Sequence, residues 1–302
     1  MDPLSQTIAA LRPQVLTWRV LELHTPWAIR FPSADLICFG QILQGSATGQ
    51  YGDGTIIDVE AGDFLLLPFP STWVMRSEGE AHPTDFRSLI SEPSHELCST
   101  PAPVVTRLIT GAFVFGHPSN EMRDSLFSRV VHIRGEDVEA RRIGSVLKLL
   151  GEEAEADRPG RSLVLERLLE IMLVEVLRYR GQYSTDNQSG LLAGLEDPRI
   201  GAALRLIHAH ADKSWTVQML AREVGMSRSA FARDFMQRVG VAPITYLMNW
   251  RMNIAKSALK ASDETVVEIA ERIGYQSVSA FSSAFTRMTG MAPTVYRRTD
   301  TC

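Results

Sequence analysis

Cysteine is scarce in this chain of 302 residues: there are three, Cys38, Cys98 and Cys302. Three scattered cysteines exclude a disulfide scaffold and any Cys-x-x-Cys zinc site, and a reducing cytoplasm is the expected compartment. Also missing is any apolar run of the roughly 18 residues that a spanning helix needs, so no membrane partner is expected. Met1 to Pro13 lacks a basic start followed by an apolar stretch, so no secretory leader is read there. Charge of one sign is not in excess overall: 31 basic and 35 acidic residues give −4. That balance conceals a division. From Asp197 onward the chain holds 14 Lys+Arg and 9 Asp+Glu, net +5, and the part before it carries −9. One end is therefore suited to a polyanion and the other is not, although a solvated charged face alone could give +5.

What is present changes character along the chain. Val15–His24, Leu36–Leu43, Thr55–Val59, Phe64–Leu67, Trp73–Arg76 and Val104–Phe115 are β-prone runs, punctuated by Pro32, Gly45, Gly49, Gly52-Asp53-Gly54, Gly62-Asp63 and Pro68. Short strands with Gly/Asp turns predict a sandwich or small barrel. Glu78–Pro103 reads as an irregular loop. After Arg134 the period becomes helical over Asp137–Ala156 and Ser162–Arg180. In the second helix Leu165, Leu168, Leu169, Met172, Leu173, Val176 and Leu177 form one wide apolar stripe. The stripe suits packing on the β part, a homodimer interface, or both. Gly181–Glu196 is Gly/Ser/Gln-rich and reads as a linker. Asp197-Pro198 then has the chemistry of a helix start.

An internal repeat follows. TVQMLAREVG from Thr216 recurs as TVVEIAERIG from Thr265, and Phe231, Phe235, Gly240, Pro243 and Tyr246 recur as Phe281, Phe285, Gly290, Pro293 and Tyr296. Each copy reads as a helix-turn-helix. Val217, Leu220, Ala221 and Val224, matched by Val266, Ile269, Ala270 and Ile273, make one buried face. Gly225 and Gly274 make the turn, and Ser227 and Ser277 are N-caps. Thr265-x-x-Glu268 is a capping box. The second helix of each copy is anchored by its phenylalanines and leaves a small, polar or basic face for a major groove.

The run IAERIGYQSVSAFSSAFTRMTGMAPTVYRR, with the rest of Asp197–Arg298, resembles the AraC-type transcriptional regulators. The resemblance implies two recognition helices in successive major grooves about 34 Å apart. Carried over by position, base-edge contacts fall at Arg228, Ser229, Ala232 and Arg233, and at Val278, Ser279, Ser282 and Ser283. Relatives commonly have basic residues at the positions of Ser283 and Thr286; here the second helix keeps only Arg287, so it is expected to read fewer bases or to act mainly in positioning. In the first half, Pro26–Pro32, Ala61–Asp63, Leu67-Pro68 and Thr110–Phe113 resemble a cupin-like sensor domain. That resemblance implies a small barrel whose mouth takes an effector, with Trp27, Arg30, Phe39 and Trp73 as candidate lining residues and Arg30 pairing an anionic group. The competing reading makes the aromatics core and Arg30 solvated.

A metal-dependent cupin enzyme needs paired histidines one residue apart, and the first half has none; His24, His82, His95, His117 and His132 are scattered. Cys38 reads as a small buried hydrophobe. No catalytic residue, metal site or cofactor is therefore expected, although a cupin-type enzyme fused to a DNA-binding part is the alternative. The fold expected is α+β: a cupin-like barrel over 1–134, a helical dimerisation segment over 135–180, a linker over 181–196 and an all-α tandem helix-turn-helix over 197–302. The function expected is sequence-specific transcription regulation by a cytoplasmic homodimer. Its partners are an operator DNA, a small-molecule effector and, for an activator, RNA polymerase.

Overall fold

In the computed structural model the described residues are 2–31, 36–52, 54–68, 73–91, 106–115, 126–127, 130–156, 158–183 and 189–299. Cys98, Cys302, His95 and His117 lie outside them. The described chain divides into two compact units.

The first unit is built on two five-stranded sheets. Its strands are β1 (Pro13–Leu23), β2 (Ala28–Phe31), β3 (Ile37–Gln44), β4 (Ser46–Tyr51), β5 (Ile56–Glu60), β6 (Phe64–Leu67), β7 (Trp73–Arg76), β8 (Thr84–Asp85), β9 (Thr106–Phe115) and β10 (Val131–Ile133). One sheet has the order β1-β9-β3-β6-β10, the other β5-β4-β7-β2-β8. All pairings are antiparallel except β2 with β8. Alternation along the strands sends Cys38 and Ile42, Leu65 and Leu67, Leu108 and Ala112, Ile29 and Phe31, and Trp73 and Met75 into one shared core. The alternate residues of the first sheet, including Phe39, Phe64, Leu66 and Phe113, are also buried, on its other face. Cys38 is buried, and desolvation pushes its thiol up to about 12, so it behaves as an apolar core residue.

Asp63 fastens this unit's corner. Its carboxylate accepts from the backbone N–H of Gly135 at 2.8 Å and of Glu60 at 3.2 Å, and stands 2.7 Å from Nε2 of His132. The segment Glu78–Pro103, read as a loop, contains β8 and a helix, α2 (Phe86–Ser91), whose Phe86 stacks on Phe31. Strand β4 was hidden by its glycine, Gly49, and by Gly45 just before it. Gly49 belongs in the strand because the Trp73 ring occupies its side-chain position: a Cβ there would lie 1.9 Å from the indole.

Two helices complete the unit, α3 (Val138–Glu155) and α4 (Arg161–Tyr183). Five residues of the α4 stripe, Leu169, Met172, Leu173, Val176 and Leu177, have no exposed surface at all. They are core, so of the two readings left open for the stripe these five residues follow the one in which it packs within the chain. Glu175, between them, pairs with Arg178 at 2.9 Å and Arg142 at 3.5 Å.

The second unit is all helix: α1 (Pro3–Leu11), α5 (Leu191–Glu196), α6 (Pro198–Ala209), α7 (Val217–Glu223), α8 (Arg228–Val239), α9 (Pro243–Ala261), α10 (Val266–Arg272), α11 (Val278–Thr289) and α12 (Pro293–Arg298). Two expected boundaries are corrected here. The segment read as a linker carries the end of α4 and the whole of α5, because Leu191 and Gly194 bury against neighbouring helices. The first dozen residues do not belong to the barrel: α1 packs on α6 and α9 and buries Thr7, Ile8 and Leu11.

Beneath α1 lies a buried polar chain. His208 donates from Nδ1 to Oε1 of Gln6 at 3.2 Å, and its Nε2 accepts from the Tyr246 hydroxyl at 2.8 Å. Its ring stacks on Trp250 with centroids 4.0 Å apart. Burial drives His208 down to about 3, so the ring is neutral and each nitrogen has one role.

The repeat is visible in packing. Phe235 meets Tyr246 edge-on at 5.9 Å, and Phe285 meets Tyr296 at 5.3 Å. The two turn glycines nevertheless differ. Both have positive φ, +66° at Gly225 and +81° at Gly274. A Cβ on Gly225 meets nothing within 4 Å, whereas one on Gly274 would lie 1.9 Å from the Asp212 carbonyl oxygen. Gly225→Ala should therefore cost only the left-handed backbone penalty of about 1–2 kcal/mol. Gly274→Ala adds an overpacking penalty and should cost about 2–5 kcal/mol. Denaturant unfolding of both variants checks this; equal losses would mean that Asp212 yields freely.

Candidate nucleic-acid interface

The first helix-turn-helix is α7 and α8. Thr216 caps α7 by accepting from Met219 N–H at 3.1 Å, and Ser227 caps α8 by accepting from Ala230 N–H at 3.3 Å. The turn between them lets α8 lie across α7 with Leu220, Ala221, Phe231 and Phe235 fully buried. Holding the phenylalanines inside fixes which face of α8 is outside: Arg228, Ser229 and Arg233 are exposed, and Ala232 is half-buried between them.

The second copy, α10 and α11, is built alike. Its capping box is complete: Glu268 N–H donates to Thr265 Oγ1 at 3.2 Å, and Thr265 N–H donates to the Glu268 carboxylate at 2.6 Å. The Thr265 N–H and hydroxyl, both donating to the Glu268 carboxylate, hold that carboxyl below its ordinary range. Ser277 caps α11 at 3.2 Å from Ala280 N–H. Phe281 and Phe285 are buried, which leaves Ser279, Ser283 and Arg287 exposed and Val278 and Ser282 half-buried. All nine expected DNA-contacting residues thus lie on the outer sides of α8 and α11.

The faces are chemically unequal. At repeat-equivalent positions α8 carries Arg228 and Arg233 where α11 carries Val278 and Ser283. Arg233 does not stand alone: its Nε donates to Asp234 at 2.9 Å, with the arginine side chain 73% exposed. An exposed pair of this kind is weak, and the guanidinium can exchange Asp234 for a base edge at little cost. The equivalent of Asp234 in α11 is Ala284.

Helix α9 joins the copies. From it Arg251 donates to the carbonyls of Ala211 at 2.6 Å, Lys213 at 3.0 Å and Asp212 at 3.3 Å, beyond the end of α6. Arg272 forks onto Glu264 at 2.8 and 3.0 Å, and this bonding holds the Glu264 carboxyl below its usual range. Arg297 donates to the Glu264 backbone carbonyl. Several basic residues of the +5 segment are therefore structural. Sequence reasoning missed the Arg251 clasp and the α1 contact. The second had a signal, since Asp2-Pro3 repeats the helix-start chemistry of Asp197-Pro198, and Asp2 does accept from Ser5 N–H at 3.0 Å.

The candidate effector residues do not gather. Between the two sheets is a small cleft with a volume of about 10 Å³, and of the four candidates only Phe39 borders it. The Phe39 ring meets Trp18 and Phe113 on the other face of its sheet. Trp27 is core and donates to Thr106 Oγ1 at 3.3 Å. Trp73 is core against Tyr51. Arg30 is exposed between buried Ile29 and Phe31, so its strand position turns it out of the core and away from any ligand held there. Among the described residues no three His, Cys, Asp or Glu side chains gather where they could hold a metal, and no helix is long and apolar enough to cross a membrane.

A pair of helix-turn-helix units with outward polar faces defines a DNA-binding protein, and comparison with known proteins gives its family. Residues 2–180 match a family described as Cupin, and residues 220–299 match one described as Helix-turn-helix domain. An AraC-like transcription regulator of Streptomyces lividans is 32% identical over 100% of this chain and 99% of its own. The regulator AlkR of Acinetobacter baylyi is 29% identical, with 99% of each chain covered. The crystal structure of the DNA-binding domain of AdpA with a target DNA aligns at 34% identity over 33% of this chain and 90% of that one, with a TM-score of 0.32. The chain belongs to the AraC-like transcription regulators, with a cupin first half and an AraC-type DNA-binding domain.

The inequality of α8 and α11 sets an order of effects. Arg233→Ala should lose about 1–3 kcal/mol on the preferred DNA site and relax selectivity at one base. Ser283→Ala should lose about 1 kcal/mol or less, the net worth of one neutral hydrogen bond. Affinities of both variants across single-base site variants, at one salt concentration, check the order; a larger selectivity loss from Ser283→Ala reverses the assignment.

Proposed function

We propose that this regulator binds one specific operator through the outer faces of α8 and α11, and that a small molecule held in the β unit modulates its DNA binding or its activation of transcription. The observation that carries the reading is the pairing of two chemistries in separate units. The helical unit presents Arg228 and Arg233 on a capped, rigid helix. Among its described residues the β unit presents no such face and instead has a small cleft between its sheets. If the protein is an activator, RNA polymerase is its further partner. The test is recovery of genomic DNA bound by the intact protein, at and beside its own gene. One short motif should be enriched, its affinity should fall steeply with salt as neutralised phosphates release counterions, and Arg228→Ala with Arg233→Ala should abolish the enrichment. Equal binding to random DNA would overturn operator specificity.

We also propose that the protein acts as a homodimer. With Leu169 and Leu173 in the core, the large apolar side chains left exposed on α4 among the described residues are Leu163, Val164 and Ile171, of which Val164 and Ile171 are seven residues apart and so on one helix face, with Leu149 exposed on α3. Val164→Glu with Ile171→Glu should give a folded monomer in sedimentation, with weaker operator binding. A double variant that sediments as wild type places the interface elsewhere.

A further inference from the structure

The first recognition helix carries an acid that its packing does not explain. Asp234 lies on α8, a helix whose outer side is offered to phosphates, where a carboxylate is repelled. It is mid-helix, so it neither caps α8 nor meets the positive end of the helix dipole. The second copy has Ala284 at the same place, so the helix-turn-helix packs without an acid there. Phe231 and Phe235 hold α8 in position and are fully buried, whereas Asp234 is half-buried and open to solvent.

Two arginines of α8 lie within reach of Asp234. Arg238 is four residues further on and so on the same helix face. Its Nη2 is held instead by Asp197, the N-cap of α6, at 3.1 Å. Asp234 accepts from Nε of the neighbouring Arg233 at 2.9 Å. That bond takes one of the five N–H donors of the guanidinium and leaves the two terminal nitrogens, Nη1 and Nη2, at the outer end of the side chain. Arg233 can therefore read a base without giving Asp234 up. Donors on both terminal nitrogens match the paired O6 and N7 acceptors of one guanine. With Nε tethered, the fork is oriented before DNA arrives, and less rotamer freedom is lost on binding.

We propose that Asp234 is a positioning residue for base reading: it holds Arg233 through Nε so that the two terminal nitrogens fork onto a single guanine, and so sets selectivity at that base pair. This rests on the reading of α8 as an operator-binding helix. The intact protein, Asp234→Ala, Asp234→Asn, Arg233→Ala and the variant carrying both alanines are titrated with the enriched motif, its single-base variants and a random duplex at one salt concentration. The base pair at which Arg233→Ala loses selectivity is the one that Arg233 reads. There Asp234→Ala should lower discrimination by about 2–5-fold, the range of an exposed ion pair, and leave the other positions unchanged. It should bind the random duplex more tightly, because a negative charge has left the DNA-facing helix. Asp234→Asn loses the same charge but keeps an acceptor for Nε, and should retain most of the discrimination. In the Arg233→Ala background, Asp234→Ala should change selectivity at no position. An equal loss at every position, the same loss without Arg233, or Asp234→Asn as poor as Asp234→Ala overturns the proposal. Wild-type protein indifferent to every base change overturns the operator reading, whereas wild-type selectivity untouched by Asp234→Ala overturns this inference alone.

Discussion

The helical unit depends on one long helix being shared. Helix α9 gives Leu247 and Trp250 to the buried interior on its first half, and Met252, Ala255, Ala258 and Leu259 to the core of the second copy. A single rod serving both cores fixes the two copies relative to each other without a separate interface. Arg251 secures the arrangement. Its guanidinium collects three backbone carbonyls of the segment that follows α6. Gly274 presses on one of those same residues, Asp212. Mispositioning of α9 would therefore disturb the end of α6 and the turn of the second copy together.

The β unit solves a different problem. Its first sheet has buried residues on both faces, and its second has one buried face and one exposed. The strand sequences record this: Phe64–Leu67 is apolar throughout, whereas Ala28–Phe31 interrupts its apolar residues with Arg30. The same rule explains why the aromatic candidates for ligand binding became core. Large apolar side chains on a doubly covered sheet fill space between layers, and a cleft remains only where smaller or narrower residues such as Gly40, Val59 and Thr110 meet.

Most of the architecture was legible in the sequence because it rests on local signals. The helical period of α3, the apolar stripe of α4, the Asp197-Pro198 start, the Thr265-x-x-Glu268 box and the repeat each specify an element within a few residues of themselves. What stayed hidden depends on partners distant in sequence. Gly49 looks like a turn until Trp73 is beside it. Gly225 and Gly274 look equivalent until Asp212 is placed. The stripe on α4 cannot by itself say whether a sheet or a second copy will cover it. The outer sides of α8 and α11 followed from the phenylalanine spacing, since a helix with one anchored face has its opposite face determined, whereas the particular contact positions on them came from the family resemblance. The pairing of Arg233 with Asp234 did not follow, because neighbouring helix positions point in different directions and only side-chain rotamers bring these two together.

The packing of α1 on α6 and α9 has a consequence for how the chain comes apart. The helical unit is assembled from both ends of the polypeptide, and the strands are threaded between them. A single peptide-bond cut after Tyr183 would not release a DNA-binding fragment cleanly. The severed N-terminal piece would still hold the helix that covers His208, and the two pieces would remain clasped through Ile8, Leu11 and the Gln6 hydrogen bond. Limited proteolysis of such a protein reports nicked but associated chains, and a fragment expressed from the second half alone begins with an uncovered apolar seam.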